Sequence, residues 1–247
     1  MMDLCRRAED LSSRAEQRYM LTHTGFLTPT QQAELRQWSR HCPCQLVFHG
    51  GLEECERKVA FFLPSDCEAE DFFRVEDHIF AVEITASFGA PQHKDYLGAV
   101  LGLGIERDRI GDIFLKDNMG YLLCLDSARR LILEELSQVG RCSVGVKELP
   151  LGEIPSFAKE TRPVAFTVKS LRLDAVVSGL FGVSRTVAAQ QIRLGAAFLN
   201  YLPCTHPDAP VSAGDTLSLR GHGKGVLAEI GGTSRKGRIY IRGERFV

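Results

Sequence analysis

Three observations predict an α+β protein built from small units. Between Phe80 and Leu149 the pattern runs strand, helix, strand, strand, helix, strand, which is the split βαβ, ferredoxin-like plan. A polar, helix-patterned segment with two short apolar runs precedes it. A proline-bearing stretch follows it, then two capped helices and several short strands. With 247 residues, 44% of them hydrophobic, the chain can bury two or three modest cores rather than one large one. The expected boundaries are 1–79 for a helical part with short strands, 80–150 for the βαββαβ domain, 151–163 for a linker and 164–247 for a small α+β domain.

Taken in order, "DLCRRAEDLSSRAEQRYM" suits a polar-faced helix. Pro29 between threonines marks the entry of a second helix in "TPTQQAELRQWSR". "QLVFHGG" and "KVAFFLP" read as short strands, and the acidic "SDCEAEDFFRVED" as a loop or short helix. "FAVEITAS" opens the middle domain as a strand. "HKDYLGAVLGLG" is a helix with Tyr96, Leu97, Val100 and Leu101 at helical spacing, and His93 and Asp95 serve its cap. "DIFLKD" and "GYLLCLD" are strands about a turn at "NMG". "SARRLILEELSQVG" is a helix capped by Ser127 and stopped by Gly140, and "CSVGVKEL" closes the domain. Neither central strand carries the aromatic stacking signature of a typical RRM sheet.

Beyond the linker, "RLDAVVSGL" puts Leu173, Val176, Val177 and Leu180 on one helical face. Ser184 caps a second helix and Gly195 ends it. On that helix Thr186, Gln190 and Arg193 fall at i, i+4 and i+7 and share a stripe, with Val187, Ala188 and Ile192 on the other side. "AAFLN", "TLSLRG", "GVLAEIGG" and "GRIYIRGERFV" then read as strands of a small sheet.

The net charge of -1 hides an asymmetry. From Glu160 onward twelve basic residues face six acidic ones, a balance of +6, so the rest of the chain carries -7. A basic end on a near-neutral chain is a footprint for a polyanion; the bland alternative is a solvated basic surface. Arg185 falls in the first turn of its helix, where the dipole disfavours positive charge. A bound phosphate reverses that cost, because it takes both the arginine and the free N–H groups. No apolar run approaches the ~18 residues of a membrane span, and the charged start "MMDLCRRAEDL" is unlike a signal peptide. The expectation is a cytoplasmic protein with no membrane partner.

The ordered set R-L-D, S-R, I-R-x-G, "AFLN" and G-D-T-L, from about Leu171 to Lys224, resembles the small RNA-binding domain named after ribosomal protein S-four. Its usual "VNG" turn reads "LNY" here. The resemblance implies RNA-facing roles for Arg172, Ser184, Arg185 and Arg193. Thr186 and Gln190 join them from the stripe, and Arg220, Lys224, Arg235, Lys236 and Arg238 from the basic strands that follow. Asp174 is expected to hold the helix start. On this reading Arg185→Glu weakens RNA binding and leaves the free protein unharmed or slightly stabilised. "GGLEECERK", "HKDYLGAVLGLGIERDRIGDI" and "LSQVGRCSVGV" resemble the YlmH-type family of bacterial and plastid proteins. That resemblance covers nearly the whole chain. It implies an RRM-like middle domain, structured rRNA and tRNA as partners, and work on the large ribosomal subunit in the rescue of stalled nascent chains. A monomer without cofactor is expected. His93, Lys94, Arg107 and Arg109 are candidates for a second RNA contact, although Asp95, Glu106, Asp108 and Asp112 can neutralise them.

Two other readings stand beside this one. Pseudouridine synthases and some methyltransferases carry S-four domains, so an RNA-modifying enzyme with its chemistry in the front half is the alternative. Against it, "GLGIERDRIGD" follows a helix rather than a strand and "GHGKG" has the wrong spacing for a phosphate loop. No catalytic residue is expected. A zinc-dependent interaction protein would draw on Cys42, Cys44, Cys55 and Cys67, with His41 or His49. "CPC" has a single residue between its thiols, where zinc knuckles use two to four, so no metal is expected either.

Overall fold

The structure is a computed structural model that describes residues 2–157 and 160–246. It divides into two compact units, Met1–Phe157 and Ala158–Val247. In the first unit α1 is Met2–Arg18, β1 Thr22–Leu27, α2 Pro29–Trp38, β2 Gln45–His49, β3 Lys58–Leu63 and α3 Ala69–Phe72. Then come β4 Ile79–Ala86, α4 His93–Gly102, β5 Ile110–Lys116, β6 Met119–Leu125, α5 Asp126–Glu135, β7 Gln138–Val139 and β8 Cys142–Leu149. All strand pairs are antiparallel, in a sheet of order β1-β3-β2 and another of order β5-β6-β4-β8-β7.

The two sheets share a core. One face of the five-stranded sheet presents Val82, Ile84, Leu122 and Cys124 to Tyr96, Val100, Ala128 and Ile132 of α4 and α5. The other face presents Ala81, Leu123 and Leu125 to Phe26, Val59, Phe61 and Leu63 of the smaller sheet. That sheet in turn packs Ala60 and Phe62 against Ala8, Ala15 and Leu35 of α1 and α2. Helices, sheet, sheet and helices therefore stack as four layers. Phe157 covers what remains, stacked on Phe114 at 4.6 Å and tilted against Tyr121 at 5.6 Å. Residues expected as separate parts, 1–79 and 80–150, thus lie within one unit.

Local chemistry explains several departures from the expected elements. β1 was not read from the sequence, because "THTGFL" lacks apolar alternation. Its Thr24 is buried, with its hydroxyl donating to Gly25 O at 2.7 Å and accepting from Ala60 N at 3.0 Å. Ser127 does not cap α5; the helix begins at Asp126, and Leu125 precedes it without a side-chain cap. Gly140 does not stop α5, which ends at Glu135. It sits at φ 59° in the turn joining β7 to β8. The β5–β6 turn is Asp117–Asn118, both at positive φ, as a two-residue hairpin requires. Of the expected cap of α4, Asp95 takes part, its Oδ2 accepting from Gln92 N at 2.8 Å, but the N-cap is Gln92 and His93 is the first residue of the helix.

The second unit contains β9 Thr161–Val168, α6 Leu173–Phe181, α7 Arg185–Arg193, β10 Ala197–Leu199, β11 Leu202–Pro203, β12 Thr216–Leu219, β13 Gly223–Thr233 and β14 Ile239–Phe246. The sheet order is β11-β10-β12-β13-β14-β9. β9 starts inside the expected linker, pairing Thr161 and Pro163 with Phe246 and Glu244. Proline is tolerated there because β9 is an edge strand. Leu173, Val176, Val177 and Leu180 are buried as their spacing predicts, against Ile192, Leu217, Leu219 and Ile241. Gly179 is needed where α6 meets the sheet, since a Cβ there would lie 2.1 Å from the Phe166 ring. Asn200 and Tyr201 make a two-residue turn at positive φ. The Asn200 amide fixes it, donating to Asp215 Oδ1 at 2.8 Å and accepting from Thr216 N at 2.9 Å. Among the described residues no helix is long and apolar enough to cross a membrane.

Candidate nucleic-acid interface

The corner between α6 and α7 is built on one buried carboxylate. Loop residues hold the start of α6: Leu173 N donates to Ala209 O and Asp174 N to Pro207 O, each at 2.9 Å. The Asp174 side chain is only 7% exposed. It accepts from Arg172 Nε and Nη2 at 3.2 and 3.4 Å, and from Arg185 Nε and Nη2 at 3.1 and 3.2 Å. A further hydrogen bond at 2.8 Å comes from Ala175 N. Burial by itself would raise the Asp174 carboxyl, but the hydrogen bonds from Arg185 and Arg172 outweigh it and hold the group below its ordinary value. The two arginine side chains remain 43% and 50% exposed. The corner therefore carries two outward cations over one inward anion.

This geometry corrects the expectation for Arg185. Its position in the first turn of α7 is offset from inside the protein by Asp174, so the arginine is tied before any phosphate arrives. Arg185→Glu would leave a second acid beside a buried carboxylate, and the free protein would lose stability.

The rest of α7 presents the expected stripe. Ser184 Oγ caps the helix by accepting from Val187 N at 3.2 Å. Thr186, Gln190 and Arg193 are all exposed, while Ala188 and Ile192 are fully buried. Val187 departs from the expected inner side: it is 40% exposed, and Leu194 just past the helix is 76% exposed. Arg220 lies near the far end of α7, its N–H donating to Ala196 O at 2.9 Å and its guanidinium 6.0 Å from the Phe198 ring.

The remaining basic residues separate into other places. Lys224 pairs with Ser218, between the buried Leu217 and Leu219, so it stands on the sheet face turned away from α6, over Tyr201 and Phe246 at 5.6 and 5.1 Å. Arg235 and Lys236 are exposed in the β13–β14 turn. Arg238 turns inward, giving hydrogen bonds to Thr167 Oγ1 and Thr167 O at 2.9 and 2.6 Å. It is a tie between β14 and β9 rather than a free cation.

The proposed second patch is not assembled. His93 and Lys94 are exposed at the start of α4. Arg107 and Arg109 follow its end, about 15 Å away along ten residues. Arg107 donates to Ile110 O at 2.6 Å, and burial pushes its pKa down. Arg109 pairs with Glu106 and Asp108 at 3.7 and 3.6 Å. The cysteines considered for zinc also divide: Cys44 belongs with α1 and α2, Cys55 and Cys67 with the core between the sheets. The side chain of His41 lies outside the described residues. Among the described residues no group of three potential ligands could hold a metal ion.

The arrangement defines a class first: an α+β protein of two compact units, the second of which carries a half-exposed arginine pair on a buried carboxylate. Residues 68–153 match the family described as "Putative RNA-binding domain in YlmH". Over 232 residues the chain is 29% identical to "Ribosome-associated protein quality control protein P2" of Bacillus subtilis (strain 168), covering 93% of this chain and 89% of that one. The solved "Cell division protein ylmH from Streptococcus pneumoniae" superposes with a TM-score of 0.52 at 23% identity, over 62% of this chain and 92% of that one. These matches bear out the resemblance to the YlmH-type family.

Proposed function

We propose that this protein is a ribosome-associated RNA-binding factor, without catalysis or cofactor, whose main RNA surface is the α6–α7 corner. The observation that carries the reading is the pair of half-exposed arginine side chains on Asp174 beside the exposed stripe of Thr186, Gln190 and Arg193. Each fork spends two donors on the carboxylate and leaves others for phosphate oxygens. The free N–H groups of the first turn of α7 add to the same field.

We read the order β5-β6-β4-β8 as the ferredoxin-like, RRM-like plan and the second unit as an S-four-type domain. In the first, the sheet face that an RRM uses to stack bases is buried under the three-stranded sheet. That argues for placing the principal contact in the second unit. The quality-control name of the Bacillus subtilis relative supports a role in stalled translation. Large-subunit rRNA with tRNA as the ligand, a cytoplasmic location and a monomeric state complete the proposal.

Co-sedimentation with ribosomal subunits across a salt series tests it. With four cations on phosphates, Arg172, Arg185, Arg193 and Arg220, affinity should fall on the order of 100-fold between roughly 50 and 200 mM salt. An affinity flat in salt would overturn the phosphate reading. Mapping base modifications on rRNA incubated with the protein should find none, and a new modification would establish the enzyme alternative instead.

A further inference from the structure

Cys42 and Cys44 flank Pro43, where α2 and the short 3-10 turn Ser39–His41 hand the chain over to β2. Proline fixes one backbone angle, and the chain bends at Pro43 and Cys44. The bend brings Cys42 Sγ to 3.0 Å from Cys44 Sγ, although both thiols are free. A disulfide needs about 2.05 Å, so closure requires a movement of about 1 Å. The two sulfurs differ in access. Cys42 is half-buried, whereas Cys44 is 9% exposed among Ala8, Ala15, Leu35 and Phe62. No other pair of thiols is in hydrogen-bonding contact among the described residues.

We propose that Cys42 and Cys44 form a modification site, a dithiol that closes reversibly to a disulfide on reaction with a low-molecular-weight disulfide. The Cys42 thiolate attacks one sulfur of the small disulfide, forms a mixed disulfide and releases one small thiolate. Cys44 then loses its proton to that leaving thiolate and attacks the Cys42 sulfur, expelling the second small thiolate, which takes up the proton Cys42 gave to water. Two protein thiols are oxidised by two electrons in total, and one small disulfide is reduced to two thiols. The order of events follows from burial. Desolvation pushes the Cys44 thiol up, with Cys42 beside it adding to the effect, so Cys44 stays protonated until its neighbour has reacted. Pre-positioning supplies the second step, because the attacking sulfur already lies next to its target.

The test uses the full chain incubated with glutathione disulfide, followed by acid quenching, alkylation and intact-mass and peptide analysis. The expected product has lost two hydrogens, maps to the peptide carrying Cys42 and Cys44, and reverts with dithiothreitol. Cys42→Ser should prevent it, while Cys5→Ser and Cys204→Ser, which alter half-buried thiols elsewhere, should leave it intact. A melting curve on Cys42→Ser establishes that the variant is folded. Two results would overturn the proposal. One is a persistent single glutathione on Cys42 with no hydrogen loss. The other is a pair that stays reduced while Cys204 is modified.

Discussion

Arginine serves opposite ends between β1 and β5 of the first unit and at the α6–α7 corner of the second. In the first, Arg57 sends Nη2 to Phe26 O at 2.7 Å and Nε to Ile110 O at 3.2 Å, and Arg107 sends Nη1 to the same Ile110 O. Burial pushes the pKa of both down, for Arg57 with the neighbouring Arg107 charge adding to it, and the nearby Asp112 offsets this only in part. In the second unit Arg172 and Arg185 meet the buried Asp174, and half of each side chain still faces solvent. A guanidinium engaged by carbonyls on several strands is a strut. One held by a buried carboxylate is oriented from behind and keeps donors for an external anion. Net charge cannot tell these two uses apart; the partner's place in the fold can.

Removing the anchor should sharpen the contrast most. Asp174→Ala deletes a buried acceptor of five hydrogen bonds. We expect about 2–3 kcal/mol of lost stability, at the lower end of what breaking a buried ion pair costs because both arginines can turn to water. RNA affinity should fall less than the melting temperature suggests, since both cations survive. The carboxyl is depressed in the folded state, so its contribution is present above its unfolded value. It fades as pH falls below about 3.9 and through the lower folded value. Acid titration of Asp174→Ala should lack that portion of the wild-type loss.

Arg57→Met comes next. It removes charged hydrogen bonds to carbonyls of β1 and β5, worth about 2 kcal/mol together, while RNA affinity should stay within a factor of two. A large loss of affinity in a folded Arg57→Met would break the division between strut and contact. Arg185→Glu follows, with about 1 kcal/mol lost by like-charge proximity to Asp174 and a clear drop in RNA binding. A melting curve and a binding isotherm on the same sample read both. Preserved stability would restore the sequence-based expectation that Asp174 leaves no room for.

Much of this was legible before the fold. The alternation and helical spacing placed β4, α4, β5, β6, α5 and β8 in order, though not the ends of α5, and the spacing of Leu173, Val176, Val177 and Leu180 gave the inner face of α6. Ser184 capped where a serine before a helix should. What escaped were partners distant in sequence. Nothing near Arg57 says that its acceptors are Phe26 O of β1 and Ile110 O of β5. The chain between Asp174 and Arg185 does not say that they meet. β1 was hidden because its first buried residues, Thr22 and Thr24, are polar and satisfied by backbone groups, Thr22 by Leu11 O and Thr24 by Ala60 N, while its apolar pair Phe26 and Leu27 shows no alternation. The open exposure of Val187 and Leu194 also contradicts a purely amphipathic reading of α7.

The smallest expected change in stability belongs to Arg193, and it separates the two uses of arginine most cleanly. Arg193 closes the last turn of α7, where a cation suits the helix dipole. It is exposed, and no buried acid holds it among the described residues. Arg193→Ala should therefore cost only about 0.3 kcal/mol, since the dipole term at an exposed helix end is small and alanine favours the helix. RNA affinity should nonetheless fall roughly tenfold, with the salt slope shallower by about one unit, because one phosphate contact is lost. The slope is the decisive readout. A variant that binds more weakly with an unchanged slope has lost shape or packing, not a phosphate contact. A variant that keeps both affinity and slope removes Arg193 from the interface and confines the contact to the Asp174 corner.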